Sequence, residues 1–126
     1  MQAAVNPKMQ ALVANLVRDG VIKTQAIAEA MAKVDRGHFA PHTPYMDCPQ
    51  PIGYEATISA PHMHAYCLDW MVPALKPGAK ILDVGCGTGY LCAAFHELVK
   101  VEGSAVTTCV GIEHIDPLAQ LSATNL

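Results

Sequence analysis

The chain has 126 residues, of which 52% are hydrophobic and 15% are charged, and its formal net charge is -3. Because it carries no cluster of Lys and Arg, it lacks the electrostatic footprint of a protein that binds nucleic acid or an anionic membrane. It also contains no apolar run long enough to span a bilayer. We therefore expect neither a nucleic acid nor a membrane as a partner.

The five cysteines are odd in number and form no C-x-x-C pair. This spacing predicts neither a disulfide framework nor a zinc site, and we expect no bound metal. The N-terminal residues 1–7 lack a basic region followed by an apolar core, which is the pattern of a secretory signal. We therefore expect a cytoplasmic α/β protein with reduced thiols. We also expect a monomer.

Two helices are predicted at the start of the chain. Asn6 followed by Pro7 is a typical helix start, and apolar residues then recur at helical spacing over 7–19. A second helix is predicted to begin at a Thr24 cap and to end near Gly37, with an apolar stripe on one side.

A third helix is predicted after an irregular segment. Residues 38–58 are rich in Pro and Gly, which favours loops with a short hairpin before Thr57. Ser59 provides a possible N-cap and Pro61 an early helical position, so the helix is predicted to run to about 73–75. Its predicted buried face consists of Met63, Tyr66, Cys67, Trp70 and Met71.

The most informative segment is a short apolar strand at 81–84 that leads into alternating glycines and then a helical pattern from Tyr90. A strand-to-helix turn that closely approaches a ligand needs residues without a Cβ atom. The first backbone N–H groups of the following helix remain free to bind an anionic or polar ligand. The glycines that provide this turn are Gly85, Gly87 and Gly89.

A second strand is predicted over 106–112 and ends at Glu113, 24 positions after Gly89. An acidic side chain at the carboxyl end of the second strand can accept hydrogen bonds from both ribose hydroxyls of a nucleotide-type cofactor. The alternative for Glu113 is a solvated carboxylate at a strand end.

These patterns predict an α/β, Rossmann-like fold in two parts. Residues 1–76 form an N-terminal helical subdomain on the substrate side, and residues 77–126 form the first part of the cofactor-binding domain. The turn at Pro77-Gly78 is the boundary. The G-x-G-x-G spacing resembles motif I of S-adenosylmethionine-dependent methyltransferases, and a nicotinamide-binding Rossmann fragment is the alternative.

A wider resemblance follows from the block that reads ATISAPHMHA over residues 56–65. Together with Pro44-Tyr45-Met46-Asp47, Pro49-Gln50 and the glycine turn, this block resembles the protein-L-isoaspartate O-methyltransferase family. Asp35-Arg36-x-x-Phe39 is similar too. The resemblance implies methyl transfer from S-adenosyl-L-methionine to the free carboxylate of isoaspartyl residues in damaged proteins and peptides.

The resemblance also implies roles for individual residues. Ser59 is the implied active-site residue, and the alternative is that it acts only as a helix cap. The residues implied to contact the cofactor are Ala56, Thr57, Ile58 and His64 on the substrate side, with Glu113 and His114 at the ribose and adenine end. Asp83 either orients the amino end of the donor or caps the glycine turn. For His62, a surface role and a substrate contact remain open.

Members of this family carry further strands after the second one, whereas this chain stops inside the helix that starts at Asp116-Pro117. We therefore expect a partial fold that is truncated at its C-terminus. This leaves a second functional hypothesis, a catalytically inactive chain that retains partial ligand binding.

Overall fold

The computed structural model describes residues 4–104 and 109–126, which form five α-helices and two small sheets. The helices are α1 (Pro7–Arg18), α2 (Gln25–Lys33), α3 (Pro61–Met71), α4 (Tyr90–Val99) and α5 (Asp116–Asn125). The strands are β1 (Gln50–Gly53), β2 (Ala56–Ile58), β3 (Ile81–Val84) and β4 (Cys109–Ile112). No helix within the described ranges is long and apolar enough to cross a membrane.

Helix α1 begins where the sequence predicts it, and α2 ends earlier than predicted. The Asn6 side chain accepts a hydrogen bond from the Lys8 N–H at 2.9 Å and caps α1. Helix α2 stops at Lys33 because Val34 is extended, so the predicted end near Gly37 is wrong. The Thr24 side chain occupies the N-cap position of α2 but makes no cap hydrogen bond.

Helix α3 is capped by a residue far away in sequence. Its N-cap position is Ala60, and the His62 N–H donates to Asp47 Oδ1 at 2.8 Å. The interpretation of Ser59 as the helix cap is therefore wrong. A short 3-10 helix over Val72–Ala74 follows α3, so the predicted end at 73–75 includes this extension.

The buried side of α3 is not the predicted one. His64, Ala65 and Leu68 face the core, whereas Trp70 is 73% exposed. The other members of the predicted face are exposed or only half-buried, namely Met63, Tyr66, Cys67 and Met71. The helix carries apolar residues on two sides, and spacing alone does not determine which side meets the core.

The second sheet consists of two parallel strands that α4 covers on one face. Ile81 pairs with Cys109 and Val84 with Ile112. The predicted strand over 106–112 is present from Cys109 onward, and residues 106–108 lie outside the described residues. On the opposite face, four apolar side chains are exposed by half or more, those of Leu82, Val84, Val110 and Ile112.

A single hydrophobic core joins the elements of both predicted parts of the chain. Buried side chains of α1 and α2, the β1–β2 hairpin, α3, α4 and α5 belong to one contact cluster. The segments 1–76 and 77–126 therefore share a core. This packing brings the hairpin and the start of α3 against the glycine turn between β3 and α4.

Candidate functional site

The three glycines of the turn have different structural roles. All adopt positive φ, with 80° at Gly85, 56° at Gly87 and 95° at Gly89. A Cβ atom added to Gly85 would meet no atom within 4 Å, so this residue opens onto free space. A Cβ atom on Gly89 would lie 2.9 Å from Ser122 Oγ, so this glycine is needed for packing against α5.

Glu113 connects the end of β4 to the glycine turn. Its carboxylate accepts hydrogen bonds from the Gly87 N–H at 2.9 Å and from the Ile115 N–H at 3.1 Å. The hydrogen bond from Ile115 is the largest cause of the lowered pKa of Glu113, and that from Gly87 adds to it. The carboxylate is therefore charged at neutral pH and held beside the turn.

A cavity of about 160 Å³ lies between the hairpin, the start of α3 and the glycine turn. It contains most of the residues that the sequence predicts for the site. Those that line it are Thr57, Ile58, Ser59, His64, Asp83, Gly85 and Gly87.

Four predicted site residues do not line this cavity. Ala56 packs against the core cluster, and Gly89 is the N-cap residue of α4. Glu113 touches the turn from the side, as described above. The side chain of His114 is 90% exposed and lies 3.1 Å from a Glu113 carboxylate oxygen.

Strand β2 and the residue that follows it present two hydroxyl side chains at the cavity. Thr57 and Ser59 are both exposed and both line it. The carbonyl oxygen of Ser59 accepts a hydrogen bond from Arg36 Nη2 at 2.6 Å. The backbone of Ser59, the predicted active-site residue, is therefore held by the buried Arg36, while the Ser59 side chain remains accessible.

Arg36 and Tyr90 support the wall of the cavity, and neither is among the site residues predicted from the sequence. Arg36 is 0% exposed, and its guanidinium carbon lies 5.4 Å from the centre of the Tyr90 ring. The His64 ring stacks on Tyr90 at 4.8 Å, and Phe39 meets Tyr90 edge-on at 5.4 Å. Arg36 and Phe39 are neighbours in one short motif, but Tyr90 lies much further along the chain, so no local pattern could have brought it to them.

His64 is neutral in this environment. Burial disfavours its charged form, and the nearby charge of Arg36 adds to this effect, so that the pKa of His64 is lowered to about 3. Its Nδ1 atom lies 3.3 Å from Arg36 Nη1. The ring is thus an uncharged hydrogen-bonding group at the cavity.

Asp83 lines the cavity from the end of β3. Burial raises its pKa, the Cys92 thiol opposes this by donating to Asp83 Oδ2 at 3.6 Å, and the charge of Glu113 raises it further. Within the described residues, the carboxylate that binds the backbone of the turn is that of Glu113. The bond that Asp83 accepts in this part of the chain comes from the Cys92 thiol, and its role toward the amino end of the donor stays a prediction.

His62 lies outside the cavity lining. Its Nδ1 atom is 2.9 Å from Asp47 Oδ1, the same oxygen that accepts from the His62 backbone N–H. This double contact explains the position of His62 as part of the α3 cap.

A parallel β-α-β unit, a glycine turn and an acidic residue at the end of the second strand define the first half of a Rossmann-like methyltransferase domain. The chain belongs to the protein-L-isoaspartate(D-aspartate) O-methyltransferase family, whose sequence model matches residues 7–126. Family membership replaces the nicotinamide-binding alternative.

Relatives agree with this assignment and show how much of the family fold is represented. The chain is 51% identical over 121 residues to the protein-L-isoaspartate O-methyltransferase of Triticum aestivum, covering 94% of this chain and 51% of the relative. It is 50% identical over 115 residues to that of Caenorhabditis elegans, covering 91% and 49%. The chain thus spans about half the length of these curated relatives.

A solved structure shows the same fold. It is that of a Plasmodium falciparum protein described as a protein-L-isoaspartate O-methyltransferase, in complex with S-adenosyl-L-homocysteine. It superposes with a TM-score of 0.88 at 36% identity, over 95% of this chain and 55% of that chain. The predicted partial methyltransferase fold is confirmed.

Proposed function

We propose that this chain carries the methyl-transfer end of an isoaspartyl methyltransferase site. The reaction moves the methyl group of S-adenosyl-L-methionine to the free carboxylate of an isoaspartyl residue and leaves S-adenosyl-L-homocysteine. The observation that carries this proposal is the cavity in which the hairpin hydroxyls of Thr57 and Ser59 meet the glycine turn.

The residues present fit the proposed cofactor. Gly85 opens onto free space, which suits a ligand that approaches the backbone of the turn. Glu113 is a charged acceptor, held by two backbone N–H groups beside that turn and suited to ribose hydroxyls. A cavity of about 160 Å³ suits one end of the cofactor, because pockets that enclose a whole small-molecule ligand measure roughly 300–1,000 Å³. Glu113 and His114 would hold the ribose and adenine end outside it.

The chemistry demands orientation more than proton transfer. The bound cofactor supplies a methyl group activated by its sulfonium. The acceptor carboxylate is ionised at neutral pH, since ordinary carboxyl groups have pKa values near ~4, so no general base is required. Holding the two reactants in line contributes on the order of 7–11 kcal/mol to lowering the barrier.

The donors that can hold the acceptor carboxylate are side chains. The first N–H groups of α3 already have partners, because the His62 N–H donates to Asp47 and the His64 N–H donates to the Ala60 carbonyl. These N–H groups are therefore not free to bind a carboxylate. The exposed hydroxyls of Thr57 and Ser59 remain as the hairpin's donors to a carboxylate.

A second candidate function is ligand binding without turnover. The exposed outer face of the β3–β4 sheet and the half-length match to the relatives favour it. Under this alternative, the glycine turn and Glu113 bind the cofactor, and the acceptor is not held firmly enough for transfer.

The test is transfer of radiolabelled methyl from S-adenosyl-L-methionine to an isoaspartyl peptide, with the matching normal aspartyl peptide as control. We expect selective labelling that falls at least ~10-fold in Ser59→Ala, since a hydrogen bond to a charged group contributes about 1.5–3 kcal/mol. Thr124→Ala, which removes an exposed hydroxyl on α5, serves as the matched variant and should retain full activity.

Equal labelling of the two peptides would contradict the substrate assignment, and unchanged labelling in Ser59→Ala would remove Ser59 from the mechanism. A folded chain that binds S-adenosyl-L-homocysteine and transfers nothing would establish the second candidate.

A further inference from the structure

Arg36 is a buried cation that forms no ion pair among the described residues, although the charge of the Asp47 carboxylate favours its charged form. Its side chain is 0% exposed, and none of the ion pairs within residues 4–104 and 109–126 includes it. Burying an unpaired charge costs several kcal/mol, so a buried guanidinium needs compensating contacts. Burial is also the main cause of the lowered pKa of Arg36. Neighbouring groups must therefore replace most of the hydrogen bonds and charge stabilisation that water would give to the guanidinium.

Three contacts provide that compensation, and all belong to the wall of the cavity. Nη2 donates to the Ser59 carbonyl at 2.6 Å, and Nη1 lies 3.3 Å from His64 Nδ1. The guanidinium also lies over the Tyr90 ring, in the range of a cation–π contact. One side chain thus contacts the backbone of the hairpin, the histidine of α3 and the first residue of α4.

The contact with His64 determines which ring nitrogen carries the proton. A guanidinium has N–H donors and no acceptor, so His64 Nδ1 can bond to it only through its lone pair. In a neutral imidazole with an unprotonated Nδ1, the proton lies on Nε2.

We propose that Arg36 is a positioning residue that holds His64 as the neutral Nε2–H tautomer and fixes the Ser59 carbonyl at the same time. The tautomer assignment stands on the geometry around Arg36. Only its consequence for a ligand depends on the function proposed above. Asp35 and Phe39 support the arrangement, because Asp35 caps the 3-10 helix that carries Arg36, and Phe39 packs on Tyr90.

The consequence for a ligand follows from charge. A neutral His64 adds no positive charge beside a sulfonium donor, yet its Nε2–H group can still donate to a carboxylate. Arg36 and Tyr90 contact the His64 ring, and Cys67, Asp83 and Cys86 are the other titratable groups of the cavity lining. Among these groups, Arg36 is the one whose charge acts on His64 and opposes its protonation.

The test is a two-bond ¹H–¹⁵N correlation spectrum of the histidine-labelled full chain without ligand, in which His64→Gln assigns the His64 signals. We expect one protonated Nε2 and one unprotonated Nδ1, unchanged from neutral pH down to about pH 5. Arg36→Met removes the donor and the charge. In that variant the ring loses the donor that selects one tautomer, so we expect the two nitrogen shifts to converge.

Arg18→Met is the matched control and should leave the spectrum unchanged, because Arg18 is exposed and pairs with the exposed Asp19. Should Arg36→Met fail to fold, a through-hydrogen-bond ¹⁵N–¹⁵N coupling between Arg36 Nη1 and His64 Nδ1 in the wild type tests the same contact. A protonated Nδ1 in the wild type, unchanged shifts in folded Arg36→Met or absence of that coupling would each overturn the proposal. None of these readouts requires methyl transfer, so loss of the proposed function would not affect them.

Discussion

At the scale of single residues, the site depends on titratable side chains whose environments keep each of them in one protonation state. Glu113 stays ionised because two backbone N–H groups point at its carboxylate. His64 stays neutral because it is buried beside a cation. A charged acceptor and a neutral histidine at one glycine turn suit a cofactor that combines ribose hydroxyls with a sulfonium cation.

The buried His64 predicts a pH dependence of stability. Its pKa is about 3 in the folded state against about 6.5 in the unfolded chain, so between these values the unfolded state binds more protons. The contribution of neutral His64 to the free energy of unfolding is therefore complete above about pH 6.5. It is lost progressively as the pH falls toward 3. Urea unfolding between about pH 7 and about pH 5 should show the free energy of unfolding falling by about 2 kcal/mol.

His64→Gln provides the comparison, because it removes the titrating ring and leaves the carboxylates in place. We expect a flatter dependence of the unfolding free energy on pH in this variant. Identical slopes for the variant and the wild type would show that His64 is not buried in its neutral form.

At the scale of secondary-structure elements, the packing of α5 against the start of α4 depends on Gly89. Gly89→Ala should be compared with Gly20→Ala, because both glycines have positive φ, 95° and 74°. The alanine at position 20 would meet no atom within 4 Å, whereas the one at 89 would press on Ser122. Backbone strain costs about 1 kcal/mol in each case, and overpacking adds about 1–3 kcal/mol at Gly89.

Chemical denaturation of the two variants measures this difference directly. Gly89→Ala should be clearly the less stable of the two. Equal losses of stability would mean that the glycine is required for backbone conformation alone, and that α5 does not pack tightly on the turn.

Local signals in the sequence predicted some elements well and left others undetermined. The start of α1 and the glycine turn follow from neighbouring residues, namely a cap, a proline and a strand followed by glycines. The cap of α3 does not, because Asp47 supplies it from 15 positions earlier in the chain. For the same reason Ser59 could not be distinguished from a helix cap by its position alone.

The supporting wall of the candidate site was also beyond local patterns. Arg36 contacts His64 across 28 positions and lies over Tyr90 from still further away. The resemblance included Arg36 in a short motif, but only the folded arrangement shows that its cation lies beneath the cavity.

At the scale of the whole molecule, the β3–β4 sheet has one face packed on α4 and one face open. Parallel strands normally have both faces covered, so these exposed apolar side chains are unusual. They agree with a chain that spans about half the length of its relatives.

Because this face of the β3–β4 sheet is exposed, substitutions on it should change the free energy of unfolding little. Val110→Thr should change the unfolding free energy by less than about 0.5 kcal/mol, because Val110 is already 58% exposed. Val99→Thr, at a position only 1% exposed, buries a hydroxyl and should cost about 1–3 kcal/mol. Thermal or urea unfolding of both variants gives the comparison, and a large loss in Val110→Thr would mean that this face is covered in solution.

The central claim is that the glycine turn and Glu113 form a working cofactor site within this chain. Calorimetric titration with S-adenosyl-L-homocysteine tests it most directly, using wild type, Glu113→Gln and the exposed control Glu102→Gln. We expect one site per chain, unchanged affinity in Glu102→Gln and at least ~10-fold weaker binding in Glu113→Gln, through loss of charge-assisted hydrogen bonds. No binding to the folded wild type, or equal affinity in Glu113→Gln, would contradict it.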